Sequence, residues 1–201
     1  GIGEKFALAG LSESISFILQ KYPDVTFNAI NMYAKQCIQA LVKQEIQFAI
    51  TGCVDYQKEE FLNKLYAHSL HHMMLLDDPI YAVVNKASPL REKSYLSLAE
   101  CKTYKMITYS GVDEDNQENA IYLSTFDNIL QLLNDNVGIT LLPHSFVRSL
   151  KIHQMEELAV IPVVDTVHCN FIIYPSDQSL AELQRLFIML YRQKFVKCVS
   201  S

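Results

Sequence analysis

The chain has 201 residues, half of them hydrophobic and 19% charged, and carries a formal net charge of -5. This excludes a disordered chain and leaves enough residues to bury a core, as one domain or as two small lobes. The acidic balance argues against a surface that grips nucleic acid, which is usually basic.

The first predicted element is a helix from about Lys5 or Phe6 to Tyr22. Leu8, Leu11, Ile15, Ile18 and Leu19 recur on one face, and Pro23 stops it. A competing reading makes Phe6–Ala9 a strand and shortens the helix. Val25, Phe27 and Ala29 alternate and read as a strand. Ala34–Gln44 reads as a helix with Ile38, Leu41 and Val42 inward. Phe48, Ala49 and Ile50 then form a short buried strand ending at Thr51 and Gly52. Strand and helix at these intervals give the crossover pattern of a parallel sheet, so the fold class is α/β.

Asp55–Lys64 is polar and reads as an excursion loop. Leu65–Leu76 reads as strand or helix, with strand favoured for part of it, Asp77-Asp78-Pro79 reads as a break, and Ile80–Val84 as a strand. A loop containing Ser88-Pro89-Leu90 follows. Ser97 and Glu100 have the spacing of a capping box that starts a short helix. Lys105–Tyr109 is a predicted strand, Val112–Asn119 a surface loop, and Ile121–Leu123 another strand.

Leu130–Pro143 organises the rest. Thr125 caps a helix carrying Leu130, Leu132 and Leu133. Asn134, Asp135 and Asn136 end it, and Ile139–Leu142 runs as a buried strand into Pro143. Gly138 is expected to supply a close approach and an unusual backbone angle. A helical turn, Ser145–Leu150, comes next. Leu158–Val163 and Asn170–Tyr174 read as separate strands, and a second capping box, Ser179 with Glu182, opens an amphipathic final helix. The lobes are expected at 1–80, 81–161 and, returning to the first, 162–201. A cleft between lobes is where small ligands tend to bind.

The chemical motifs are few. There is no glycine-rich phosphate loop, no nucleophile elbow and no paired carboxylates, so no enzyme and no cofactor is expected. His68 and His72 would share a helical face, but the glutamate of a zinc-protease motif is missing, and no metal site is expected. Cys37, Cys53, Cys101, Cys169 and Cys198 form no CxxC pair. Their odd number argues against a complete disulfide framework and suits a reducing cytosol. Cys37 and Cys169 read as structural, whereas Cys53 follows a strand end and is placed to line a pocket. No apolar run approaches the ~18 residues of a membrane span, and no signal peptide is recognised. The start at Gly1 reads as a cut end. Small polar residues at strand ends and a helix start, Thr51, Gly52, Ser110, Gly111 and Thr125, suit a non-catalytic ligand site. Lys86, Arg91, Lys93, Lys102 and Lys105 add a mildly positive rim.

Several ordered pieces carry a resemblance. They are Tyr22-Pro23-Asp24-Val25, Leu41 with Phe48-Ala49-Ile50, and Val83-Val84 with Ser88-Pro89-Leu90. Leu96-Ser97-Leu98-Ala99 and Asn136-Val137-Gly138-Ile139-Thr140-Leu141-Leu142-Pro143 complete the set. Together they resemble the effector-binding domain of LysR-type transcriptional regulators over nearly the whole chain. Gln44 stands where that family usually has glycine, Gln47 where aspartate is common, Ser88 where histidine is frequent, and Asn136 in place of the first glycine of a glycine–x–glycine run.

The resemblance implies a two-lobe, periplasmic-binding-protein-like fold with crossover strands and an effector in the inter-lobe cleft. It implies a cytoplasmic homodimer, a tetramer in the full-length protein, and DNA contact only through an N-terminal winged helix-turn-helix that this excised regulatory domain lacks. Carried over position by position, the effector-binding residues are Thr51, Gly52, Ser110 and Thr125, with Ile139 and Thr140 near the hinge. The effector is expected to be small and polar or anionic, and no membrane is involved. Two other functions stay open: a solute-binding receptor of an importer, and a dimerisation module with a vestigial pocket.

Overall fold

The computed structural model describes residues 2–3, 10–109, 119–176 and 180–200. The chain divides into two compact units. Unit 1 holds Gly1–Asp78 and His168–Ser201, and unit 2 holds Pro79–Val167.

In unit 1, strand β1 (Ile2–Gly3) pairs in parallel with β2 (Asn31–Met32) and with β3 (Ala49–Val54). Strand β3 runs antiparallel to the second half of β8 (Leu158–Pro175), with Ala49 opposite Ile173 and Val54 opposite His168. The result is a mixed α/β sheet in the order β2-β1-β3-β8. Helix α1 (Leu11–Lys21) packs on α7 (Glu182–Ser200). Their core joins Ile18, Ile50, Leu75, Ile172, Phe187, Ile188, Tyr191 and Phe195, all buried. The Phe187, Tyr191 and Phe195 rings stack at 6.2 and 5.6 Å, the i, i+4 spacing that stacks side chains along one helix face.

Helix α1 starts at Leu11, later than the apolar spacing suggested. Gly10 precedes it with φ 77, and a Cβ there would overlap Lys194 of α7. The left-handed glycine ends the helix on its N-terminal side. The competing strand Phe6–Ala9 lies outside the described residues. The expected strand Val25–Asn31 is irregular backbone as far as Ile30, and the pairing is confined to Asn31–Met32. Phe27 reaches the core as an anchor, its ring 5.6 Å from Phe187, so its apolarity reports a contact and not a strand.

Helix α2 (Ala34–Val42) buries Cys37, Ile38, Ala40 and Leu41. The polar Asp55–Lys64 segment is not a loop. It forms a 3₁₀ turn (Asp55–Gln57) and helix α3 (Lys58–Ala67), which hides Phe61 and Leu65 and pairs Glu60 with Lys64 at 2.7 Å in solvent. Two buried residues at i and i+4 are enough to seat a helix of this length. Strand β4 (Leu70–Asn85) passes without interruption through Asp77-Asp78-Pro79, where a break was expected. Its ladder to β7 (Thr140–Pro143) starts at Ile80, just beyond the proline, so that ladder asks no amide of Pro79. Leu158–Pro175 is likewise one strand, because Val164–Cys169 contains no breaker.

In unit 2, Ile80–Val83 of β4 pairs antiparallel with β7, while β5 (Met106–Tyr109) and β6 (Ala120–Leu123) pair in parallel. Helix α4 (Leu98–Cys101) is capped by Ser97, whose Oγ accepts from the Glu100 amide at 3.1 Å. The Glu100 carboxylate pairs with Lys93, and Asp165 accepts from the Leu98 amide at 2.7 Å. Helix α5 (Phe126–Asn134) presents Ile129 and Leu133 to the core, with Leu130 and Leu132 half-buried. The turn α6 (His144–Ser149) follows β7 directly. The second capping box falls on Ser179, outside the described residues.

Candidate functional site

The strand β3 leaves the unit 1 core at Thr51 and Gly52, and the polar residues of β8 lie against it. Alternation divides them between two faces. Thr51 and Cys53 share a face with Phe171 and Cys169. Gly52 and Val54 share the other with Asn170 and His168. Thr51, His168 and Asn170 are 4%, 5% and 1% exposed, so this is a group of polar side chains set into a sheet.

On its own face Asn170 ties His168 to the strand beside it. Its Nδ2 donates to the carbonyls of His168 at 3.2 Å and Leu76 at 3.5 Å. Its Oδ1 lies 3.2 Å from His168 Nδ1, so that proton sits on Nδ1 and donates. A Cβ on Gly52 would overlap both the His168 ring and the Cys169 carbonyl. Glycine is required at 52 for space, and that space is filled by the imidazole. Sequence reasoning placed Thr51 and Gly52 but gave His168 and Asn170 no part in the site. The available signal was a polar His-Cys-Asn interruption within the apolar run Val160–Tyr174.

In unit 2, Thr125 is the N-cap of α5. It is exposed, and its Oγ1 accepts from the Asn128 amide at 3.4 Å. The cap leaves the other first-turn amides of that helix for solvent or an anion. Ile139 and Thr140 are 2% exposed. The Ile139 amide donates to the Lys105 carbonyl at 2.9 Å, and its carbonyl accepts from Ile107 at 2.7 Å. Thr140 lies opposite Val83 in the β4–β7 ladder. Both residues are therefore built into the sheet. Ser110 and Gly111 lie outside the described residues.

The histidine cluster does not form. His68 caps the end of α3, while His71 and His72 belong to β4, so the helical spacing of His68 and His72 is never realised. The His72 ring instead meets Tyr66 and Phe171 edge-on at 5.9 and 5.8 Å. Among the described residues no group of three or more His, Cys, Asp or Glu is arranged to hold a metal. None of their helices is long and apolar enough to cross a membrane. Burial pushes the Cys37 and Cys101 thiols up to about 11. The Cys169 thiol rises to about 12, through burial and then a hydrogen bond to Asp77. These three are protonated at neutral pH, so none of them stands as a free thiolate.

The model of the LysR substrate binding domain family matches residues 1–196. No curated protein matches the chain. Among solved structures, a Corynebacterium glutamicum OxyR C206 mutant is 18% identical, with a TM-score of 0.78, over 100% of this chain and 64% of that one. The chain thus spans just under two thirds of that relative's length. The BenM effector binding domain with its effector benzoate is 16% identical, TM-score 0.74, over 98% of this chain and 91% of that one. The effector binding domain of QuiR in complex with shikimate is 14% identical, TM-score 0.71, over 98% and 95%. At these identities the structures establish a shared fold.

Proposed function

The chain belongs to the LysR substrate-binding domain family, and on that premise we propose that it senses a small carboxylate-bearing effector and acts as a regulatory module, not as an enzyme. The observation that carries this reading is the buried polar group of unit 1. Thr51 on one face of the β3–β8 pair, and His168 and Asn170 on the other, are all buried near the end of β3, and Gly52 keeps room for the imidazole. Buried polar groups at strand ends are costly unless they serve a partner or a ligand. The Thr51 hydroxyl and the Gly52 backbone are the proposed contacts in unit 1. Thr125 and the amides behind it, with Ser110, are the proposed contacts in unit 2, and Ile139 and Thr140 position them. A carboxylate suits hydroxyl and amide donors. Benzoate and shikimate, carried by two proteins of the same fold, are both ring carboxylates.

In the whole protein, effector binding shifts a population between two states, and a homodimer transmits the shift to a DNA-binding segment elsewhere in the polypeptide. That requires different effector affinity in the two states. The cytosol is the proposed compartment. The test is a thermal-shift titration of this chain with benzoate, shikimate, amino acids, central metabolic acids and inorganic phosphate. A saturable rise is expected with one carboxylate class. At a hundredfold excess over Kd it corresponds to about 2.7 kcal/mol, and Thr51→Ala or Thr125→Ala reduces it. A folded chain whose melting temperature none of these probes moves would overturn the effector reading.

A further inference from the structure

We propose that Cys53 and Cys169 form a reversible cross-strand disulfide, a redox-modification site on the face of the unit 1 sheet that also carries Thr51. The proposal stands apart from the effector reading. The two cysteines are directly opposite in the antiparallel β3–β8 pair, so their side chains leave the sheet on the same side. Directly opposed antiparallel residues have Cα atoms about 4.5 or 5.5 Å apart, depending on the type of pair. Both separations lie within the roughly 4.4–6.8 Å that a disulfide spans. Ladder hydrogen bonds on either side hold the register, so the partner of each thiol is fixed by the fold.

The two thiols differ in a way that orders the chemistry. Cys53 is half-buried and reaches solvent, while Cys169 is 1% exposed. Burial and the Asp77 carboxylate keep Cys169 protonated, its thiol raised to about 12, so it does not meet the oxidant first. Peroxide oxidises Cys53: the thiolate attacks one peroxide oxygen, the O–O bond breaks, and Cys53 sulfenic acid and water result. The Cys169 sulfur then attacks the Cys53 sulfur and its proton passes to Asp77. The S–OH bond breaks, hydroxide leaves and takes a proton as a second water, and the S–S bond forms. Overall two thiols are oxidised by two electrons and one peroxide is reduced to two waters. Thiol–disulfide exchange with a small reductant reverses it. Cys37 and Cys101 have different surroundings: Cys37 lies in α2 with its Sγ 3.7 Å from the Met32 carbonyl, and Cys101 lies in unit 2.

The experiment exposes the folded chain to stoichiometric hydrogen peroxide, alkylates the remaining thiols, and reads intact mass and a non-reduced peptide map. The expected product is a monomer lacking two hydrogens, with one linkage joining Cys53 to Cys169, restored to thiols by dithiothreitol. Cys53→Ser or Cys169→Ser abolishes the linkage, whereas Cys37→Ser and Cys101→Ser keep it. In Cys169→Ser, a sulfenic-acid probe labels Cys53. The proposal is overturned by a linkage between other cysteines, by a link between two chains, or by Cys53 sulfinic acid with Cys169 still alkylated. It is equally overturned if the urea-unfolded chain forms the same linkage as fast as the folded one, since the strand register would then play no part.

Discussion

Helices α2 and α5 sit in different units and end in the same way. In α2 the Glu45 amide donates to the Ala40 carbonyl at 2.9 Å and the Gln44 amide to Leu41 at 3.0 Å. In α5 the Val137 amide donates to Leu132 and the Asn136 amide to Leu133, both at 3.0 Å. Each is a Schellman closure, which needs a left-handed residue just past the helix. Gln44 fills it at φ 58 and Asn136 at φ 56, with no glycine in either place. The two residues do not meet the demand equally. Asparagine tolerates the left-handed region because its short amide bonds locally, whereas glutamine's longer side chain gives no such relief. Of the two properties expected of Gly138, the unusual angle is absent, but the close approach is present, since a Cβ there would overlap the Lys105 carbonyl.

The largest effect that breaks this comparison is at Gly138. Gly138→Ala is expected to cost about 3 kcal/mol, because the obstacle is backbone and cannot rotate away; chemical denaturation measures it, and a loss under about 0.5 kcal/mol would remove the steric account. Gln44→Gly is next, with an expected gain of about 1 kcal/mol from relief of the left-handed strain. An unchanged denaturation midpoint would mean that the glutamine is not strained. At the opposite end of α5, Thr125→Ala is expected to lose roughly 1 kcal/mol or less through the cap alone. A loss of stability in the absence of any effector separates capping from ligand contact. Smallest is Asn136→Gly, expected to change stability by only about a few tenths of a kcal/mol. A gain as large as that at Gln44 would make the two helix ends equivalent.

A pH titration sharpens the contrast between the units. A thiol whose folded pKa lies above its unfolded value stays protonated in the native state after the unfolded chain has ionised. Stability is unaffected below the unfolded value and falls as pH rises from there toward the folded value. Unit 1 holds two such buried thiols, Cys37 at about 11 and Cys169 at about 12, and unit 2 holds Cys101 at about 11. Urea midpoints are therefore expected to decline as pH rises from near 9.0, the ordinary value of a free thiol. Cys169→Ser should flatten that decline, and an unaltered slope would contradict it.

The elements legible in the sequence were those whose period matched one buried face. Leu133 in α5, Ile38 and Leu41 in α2, and Ile80–Val84 in β4 were placed because their apolar spacing is regular, whereas Ile129, the other buried residue of α5, was not singled out. The failures share a cause. Asp55–Lys64 looked like loop because Phe61 and Leu65 are the only buried residues in a polar helix. Phe27 looked like strand because a ring anchored in the α7 core mimics alternation. Of the proposed site, Thr51, Gly52 and Thr125 were legible as polar residues at element ends. His168 and Asn170 were not, since only the β3–β8 register brings them beside Gly52.

The sequence alone determined the α/β class, the capped helix α5 and the ordered short motifs that the family model then matched across residues 1–196. These are local or patterned properties, fixed by residues near one another along the chain. The tertiary structure alone decided that β4 and β8 are each continuous, that Gly138 answers to Lys105, and that Cys53 faces Cys169. Those facts join residues up to 116 positions apart. Strand register sets them, and a slip of one residue would send every such side chain to the opposite face.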